Sequence, residues 1–166
     1  LGGAPLNFGV HARRLGHEVC LVSAVGIDDL GRRAAERIAA LQIDTTFLQA
    51  TSEFPTGTAT VELIPGDKAL FNIPRPAAFD AICIADSDIE KLSRWAPGWL
   101  YYGTLFASTH QGRTILKRLL NKLDGTMRFY DLNLRPGCDS PALVTQLLEW
   151  ADVVKLNEEE LQRIRE

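Results

Sequence analysis

Glu18-Val19-Cys20-Leu21-Val22-Ser23-Ala24-Val25-Gly26-Ile27-Asp28-Asp29-Leu30-Gly31 is the stretch that decides the fold class. Glu18 to Val25 is almost continuously apolar, the pattern of a strand covered on both faces. Gly26 to Gly31 reads as a loop leading into a helix. Leu30, Ala34, Ile38 and Leu41 then recur at helical spacing and mark its predicted inner side. A buried strand, a short loop and an amphipathic helix form the repeating half of a parallel α/β sheet.

The same alternation governs most of the chain. The pattern predicts a helix near Ser87 to Trp95 and a strand over Leu100 to Phe106. A long helix from about Thr109 to Leu123 follows, with Leu116, Leu119, Leu120 and Leu123 inward. A strand over Met127 to Leu132 precedes a helix from Pro141 to Ala151, for which Ser140 is the N-cap and Pro141 the first helical residue. A short strand, Val153 to Leu156, runs into a last helix. The middle differs. Thr58-Ala59-Thr60-Val61-Glu62-Leu63 alternates with period two, Pro65-Gly66-Asp67 makes a turn, and Ala69 to Ile73 returns. That is an antiparallel hairpin inserted into a βα chain, with a mostly parallel sheet and helices on both faces expected for the rest.

Upstream lies Leu1-Gly2-Gly3-Ala4-Pro5-Leu6-Asn7-Phe8-Gly9-Val10-His11-Ala12-Arg13-Arg14-Leu15-Gly16. Paired glycines open a helix, where a ligand can approach backbone without meeting a Cβ. Pro5 suits the first helical position, Gly16 the end, and Phe8, Ala12 and Leu15 the buried stripe. Asn7, in the first turn, offers a donor and an acceptor to a hydroxyl.

Composition narrows the partners. The chain has 166 residues, a formal charge of −3 and 46% hydrophobic residues, ordinary values for a globular domain. The mild acidity and the lack of a Lys/Arg cluster argue against a nucleic-acid surface. Cys20, Cys83 and Cys138 are scattered, as reduced thiols of a cytoplasmic protein would be. No apolar run is long enough for a membrane span, and no signal peptide is visible. There is neither a P-loop nor a G-x-G-x-x-G turn, and His11, His17 and His110 lack metal-ligand spacing.

Three further segments could carry chemistry. In Gly26-Ile27-Asp28-Asp29-Leu30-Gly31, Asp28 is a plausible N-cap accepting from the Gly31 amide. In Asp131-Leu132-Asn133-Leu134-Arg135-Pro136-Gly137, an extended backbone would turn Asp131, Asn133 and Arg135 to one face, at the carboxyl end of a strand, where open α/β sheets hold ligands. A loop ion pair between Asp131 and Arg135 is the alternative. In Lys155-Leu156-Asn157-Glu158-Glu159-Glu160, Asn157 at N-cap and Glu160 three residues on form nearly a capping box, so capping alone could account for the pattern.

Together with the first helix, these segments resemble, in order, the signatures of the ribokinase-like (PfkB) family of carbohydrate kinases: glycine-glycine-x-x-x-asparagine, glycine-x-aspartate-x-x-glycine, aspartate-x-asparagine-x-arginine and asparagine-x-x-glutamate. Gly2-Gly3-Ala4-Pro5-Leu6-Asn7 and Pro76-Ala77-Ala78-Phe79-Asp80 look most like fructokinase-like members. The resemblance implies a three-layer, Rossmann-like α/β domain over 1–166, truncated, with a lid hairpin at about 55–75 that closes over the sugar and often pairs between subunits. It implies ATP and Mg2+ as cofactors and a small-molecule sugar as partner. Gly3, Asn7, Asp28 and Arg135 would then bind substrate. Asn133, Lys155, Asn157 and Glu160 would serve the phosphates and nucleotide, with Glu160 meeting the metal through water.

One departure stands out. The family's general-base aspartate lies in a glycine-alanine-glycine-aspartate segment, and nothing here resembles it, so no catalytic residue can be carried over. The expectation is an internal fragment of a sugar kinase, inactive by itself. The alternatives are a non-catalytic sugar-binding or dimerisation module and, more remotely, a dinucleotide-dependent oxidoreductase, against which the missing glycine fingerprint speaks.

Overall fold

The structure, a computed structural model, describes residues 1–64, 68–135 and 137–165. The turn predicted at Pro65-Gly66-Asp67 and the strand stop assigned to Pro136 lie outside these residues. The chain groups into two compact units, Leu1–Ile82 and a second from Cys83 onward.

The first unit comprises helix α1 (Ala4–Arg14), strand β1 (Ser23–Gly26), helix α2 (Asp29–Ala40), strand β2 (Leu48–Thr51), the strands β3 (Thr60–Ile64) and β4 (Lys68–Asn72), and a 3-10 turn at Ala78–Ala81. β1 and β2 are parallel, from Ser23 opposite Leu48 to Gly26 opposite Thr51. β1 is shorter than the apolar run predicted. β2 begins only after a turn closed by the Leu48 N–H on the Thr45 carbonyl (2.9 Å), and upstream a single bridge, Cys20 to Asp44, remains. Burial also alternates along β1, with Ala24 and Gly26 inward, so both faces are not equally covered. β3 and β4 pair antiparallel, Thr60 opposite Asn72, as the hairpin expected from the sequence.

The core of this unit is Leu6, Ile38 and Ile43, with Val10, Val19, Leu21, Leu41 and Leu48 packed around it. The predicted stripe of α1 is therefore wrong. Leu6 and Gly9 face inward, and Leu15 is 79% exposed. Gly9 is a contact point because it has no side chain: a Cβ there would stand 3.1 Å from Val19 Cγ1. Leu15 lies past the helix end, where Gly16 at φ 91° reverses the chain and the His17 N–H reaches the Ala12 carbonyl (3.1 Å). Leu30 is likewise exposed, and the residues of α2 that are buried are Gly31 and, as predicted, Ile38.

The second unit runs α3 (Asp86–Trp95), β5 (Trp99–Gly103), α4 (Thr104–Ala107), α5 (His110–Lys122), β6 (Met127–Asp131), α6 (Pro141–Glu149), β7 (Val153–Lys155) and α7 (Glu158–Arg165). Its sheet is parallel in the order β5-β6-β7, and Gly103, Asp131 and Lys155 stand level at the carboxyl ends. Ser140 caps α6 by accepting from the Leu143 N–H (3.3 Å), and Thr109 caps α5 by accepting from the Gly112 N–H (3.0 Å). The strand predicted to reach Phe106 stops at Gly103. There the buried Thr104 hydroxyl bonds the Leu132 carbonyl and the Tyr130 hydroxyl, and the chain coils into α4.

Strand alternation sorts the aromatic residues. Tyr102 and Tyr130 stack (centroids 5.3 Å apart) in the core formed with Leu116, Leu120, Leu132, Val144 and Leu147. Tyr101 and Phe129, one residue earlier on each strand, stack 5.6 Å apart on the opposite face. Each fully buried leucine or tyrosine here contributes on the order of 2 kcal/mol. The chain thus has the mixed α/β class expected, with parallel strands, helices and a small antiparallel hairpin. Among the described residues no helix is long and apolar enough to cross a membrane.

Candidate active site

In the first unit, Gly3 is the N-cap of α1 with φ 109°, a backbone that L side chains rarely adopt. Among the described residues, no atom beyond the chain neighbours lies within 4 Å of where a Cβ on Gly2 or Gly3 would sit, so backbone there is open to an approaching molecule. The first helical bond, from the Asn7 N–H to the Gly3 carbonyl (2.9 Å), ties the two predicted sugar residues together and leaves the Asn7 side chain exposed. Pro5 is the second helical residue rather than the first, and neither position needs a donor.

Asp28 caps α2 as expected, Oδ1 accepting from the Gly31 N–H (2.7 Å). The same carboxylate also reaches across the unit. Oδ2 accepts from the Thr56 N–H (2.8 Å), Oδ1 from the Thr56 hydroxyl (2.7 Å), and the Thr56 hydroxyl oxygen accepts from the Gly26 N–H (2.9 Å). Bonds from Thr56 first, and from Gly31, hold the Asp28 carboxyl below the ordinary carboxylate range. A depressed value means that this linkage is complete above the unfolded carboxylate pKa and is lost as pH falls through the lowered one. The other root of the hairpin is held too. Ala78 N–H donates to the Pro55 carbonyl (2.8 Å), and the Arg75 guanidinium forks onto Asp80, whose Oδ2 also accepts from the Ala77 N–H (3.0 Å).

In the second unit the aspartate-x-asparagine-x-arginine segment is not one extended run. β6 ends at Asp131, and Asn133 takes φ 38°, so the predicted common face for Asp131, Asn133 and Arg135 is broken at the middle residue. Asp131 is 5% exposed. Its Oδ2 accepts from the Tyr101 hydroxyl, and its Oδ1 lies 2.9 Å from Nζ of Lys155, the residue level with it on β7. Burial first, then the Asp131 bond and charge, push the Tyr101 phenol far above its usual value. The Lys155 ammonium thus meets a buried counter-charge, although the lysine side chain is 54% exposed.

Asn157 and Glu160 form the predicted capping box in full. Asn157 Oδ1 accepts from the Glu160 N–H (2.8 Å), and Glu160 Oε2 accepts from the Asn157 N–H (2.9 Å). Glu160 is 6% exposed, and its other oxygen, Oε1, accepts from the Leu134 N–H (2.9 Å). One buried carboxylate therefore pins the loop that carries Asn133 and Arg135 to the start of α7. Sequence reasoning found the box but not the Leu134 bond, nor Thr56, nor the Tyr101–Asp131–Lys155 chain, because each joins residues distant in sequence.

The donor set bears on a metal. Both Glu160 oxygens are engaged by backbone amides, the Asn157 oxygen is engaged as well, and among the described residues no group of three or more His, Cys, Asp or Glu could hold an ion. A Mg2+ held here would take its ligands mainly from phosphate and water, and not from a cage of side chains. Burial, with Asp44 nearby, pushes the Cys20 thiol up to about 12, which leaves it protonated and a poor nucleophile at neutral pH.

Residues 1–166 match the pfkB family carbohydrate kinase. A fructokinase of Salmonella typhimurium is 31% identical over 169 residues, covering 96% of this chain and 53% of its own length. A sugar kinase of Pyrococcus horikoshii, solved in complex with ATP, superimposes with a TM-score of 0.84 at 25% identity, over 99% of this chain and 56% of that one. A fructokinase of Vibrio cholerae, solved with fructose, ADP and calcium ion, gives 0.81 at 28% identity, over 98% and 54%. The chain spans about half the length of the relatives it matches.

Proposed function

The chain belongs to the pfkB family of carbohydrate kinases, and from that membership we propose that the intact protein transfers the γ-phosphoryl group of ATP to a hydroxyl of a fructose- or ribose-like sugar, with Mg2+, in the cytoplasm. Residues 1–166 form part of one ribokinase-like domain with the hairpin at about 55–75 as its lid. Gly3, Asn7 and Asp28 serve the sugar. Arg135, with a planar fork suited to oxyanions, meets the acceptor end. Asn133, Lys155, Asn157 and Glu160 serve the phosphates, Glu160 acting on the metal through water.

The observation that carries this reading is the Glu160 carboxylate, bonded at once to Leu134 and Asn157. It unites two of the four signature segments in one rigid junction at the carboxyl ends of parallel strands, where such sheets bind ligands. Phosphoryl transfer depends chiefly on positioning and charge stabilisation, and a fixed junction bearing Arg135 and Lys155 supplies both. Mg2+, when bound, neutralises charge on the phosphates. The exposed Val61 and Phe71, level with each other on the hairpin, support a homodimer formed through the lid.

The test is sugar-dependent ADP release by the intact protein across a panel of ketoses and aldoses. Activity with at least one sugar, lost on Asn7→Ala, is the expected result. No turnover with any sugar would overturn the proposal and favour the non-catalytic sugar-binding module. The 166-residue chain alone, which has no glycine-alanine-glycine-aspartate segment, is expected to release no ADP.

A further inference from the structure

We propose that Asp28 is a positioning residue for the lid: its carboxylate, shared between the start of α2 and Thr56, anchors the root of the hairpin and so sets how the lid meets the sugar. The role in catalysis rests on the kinase reading above, whereas the anchoring itself does not.

An isolated two-stranded hairpin with five residues in each strand is marginal on its own in water. Thr60, Val61, Glu62, Phe71 and Asn72 are all exposed, so these five side chains do little to hold the hairpin. Its roots are held by named bonds on both sides. On the returning side, Arg75 and Asp80 form a fork and Ala78 bonds to Pro55. On the outgoing side, Thr56 is held by three bonds, two of them to Asp28. Hydrogen bonds to an ionised acceptor are roughly twice as strong as neutral ones, so Asp28 is the strongest of the named ties on the outgoing side.

The surrounding backbone leaves no slack. A Cβ on Gly26 would lie 2.7 Å from both Asp28 Oδ2 and the Thr56 nitrogen, and one on Gly31 would lie 1.9 Å from the Gly26 carbonyl oxygen. On the far side of Thr56, a Cβ on Gly57 would lie 2.5 Å from the Phe79 ring. Gly26 and Gly31 therefore let α2, β1 and the outgoing root converge on one carboxylate, and Gly57 lets the returning root pack beside Thr56. A residue there whose only task was to cap α2 would need neither the second oxygen nor this convergence.

Asparagine separates the two tasks. Asp28→Asn keeps an oxygen to cap Gly31, since asparagine is as good an N-cap as aspartate, but it turns an amide donor toward the Thr56 N–H. Thr56→Val removes the hydroxyl, and Thr56→Ser restores it. Amide hydrogen exchange resolved along the chain is the direct readout. Exchange over 60–64 and 68–72 is expected to rise on the order of tenfold or more in Asp28→Asn and Thr56→Val. It should stay at the parent level in Thr56→Ser, with α2 amides still protected in Asp28→Asn. Hairpin exchange that does not change in both variants, or that rises equally throughout the chain, would overturn the anchoring.

In the intact protein the same two variants are expected to raise the KM for sugar several-fold, with the KM for ATP unmoved. A sugar KM that stays at the parent value while hairpin exchange rises would overturn the positioning role. Faster hairpin exchange in a protein that phosphorylates no sugar would leave the anchor standing and remove only the kinase reading.

Discussion

Glu160 illustrates how much one side chain can hold. A capping glutamate on an exposed helix contributes little more than its cap, but here both oxygens are buried against backbone amides from two segments. Glu160→Gln keeps the shape and offers one acceptor in place of two, so either Leu134 or Asn157 is left facing a donor. An unsatisfied buried amide costs about 1–3 kcal/mol. Urea unfolding of the variant should show that loss with an unchanged m-value, and a variant as stable as the parent would contradict this account. The sequence made the Asn157–Glu160 pair legible, because a capping box is local. It could not reveal Leu134, which is 26 residues away. The same limit hid Tyr101 behind Asp131, 30 residues apart and joined only by strand pairing.

Helices α2 and α5 begin in the same way. Each has a capping side chain, Asp28 or Thr109, and three residues later a glycine pressed against an earlier carbonyl. On Gly112 a Cβ would lie 1.9 Å from the Phe106 carbonyl oxygen, a contact only backbone movement could relieve. Gly112→Ala is therefore expected to destabilise by about 1–3 kcal/mol despite its gain in helix propensity. Gly98→Ala, whose new Cβ would have no described atom beyond its chain neighbours within 4 Å, is the control and should stay near the parent in thermal melts. Equal melting of the two variants would refute the steric argument. Helix positions were readable from caps and periodicity, and among the described residues six of the seven α-helices, all but the single-turn α4, lie close to where the pattern puts them. Inward faces were less readable, since Gly9 and Gly31 pack by lacking a side chain and a hydrophobic stripe cannot register that.

For the molecule as a whole, the alternation of strands and helices conveyed the α/β class and the hairpin, while β2 and the 3-10 turn at Ala78–Ala81 left no pattern strong enough to read. The proposed dimer turns on the hairpin, where Val61 is 53% exposed and Phe71 43%. Paired lids would bury both, so Phe71→Glu is expected to shift the intact protein from dimer to monomer in light scattering at micromolar concentration. A parent already monomeric at that concentration would dispose of the lid-mediated dimer.

The bend at Asn133 has a consequence for what random replacement of that residue would return. A backbone at φ 38° favours asparagine, aspartate and glycine before any ligand imposes a preference. An amide that persists there through generations of drift would record the curvature of the main chain as faithfully as it records a phosphate.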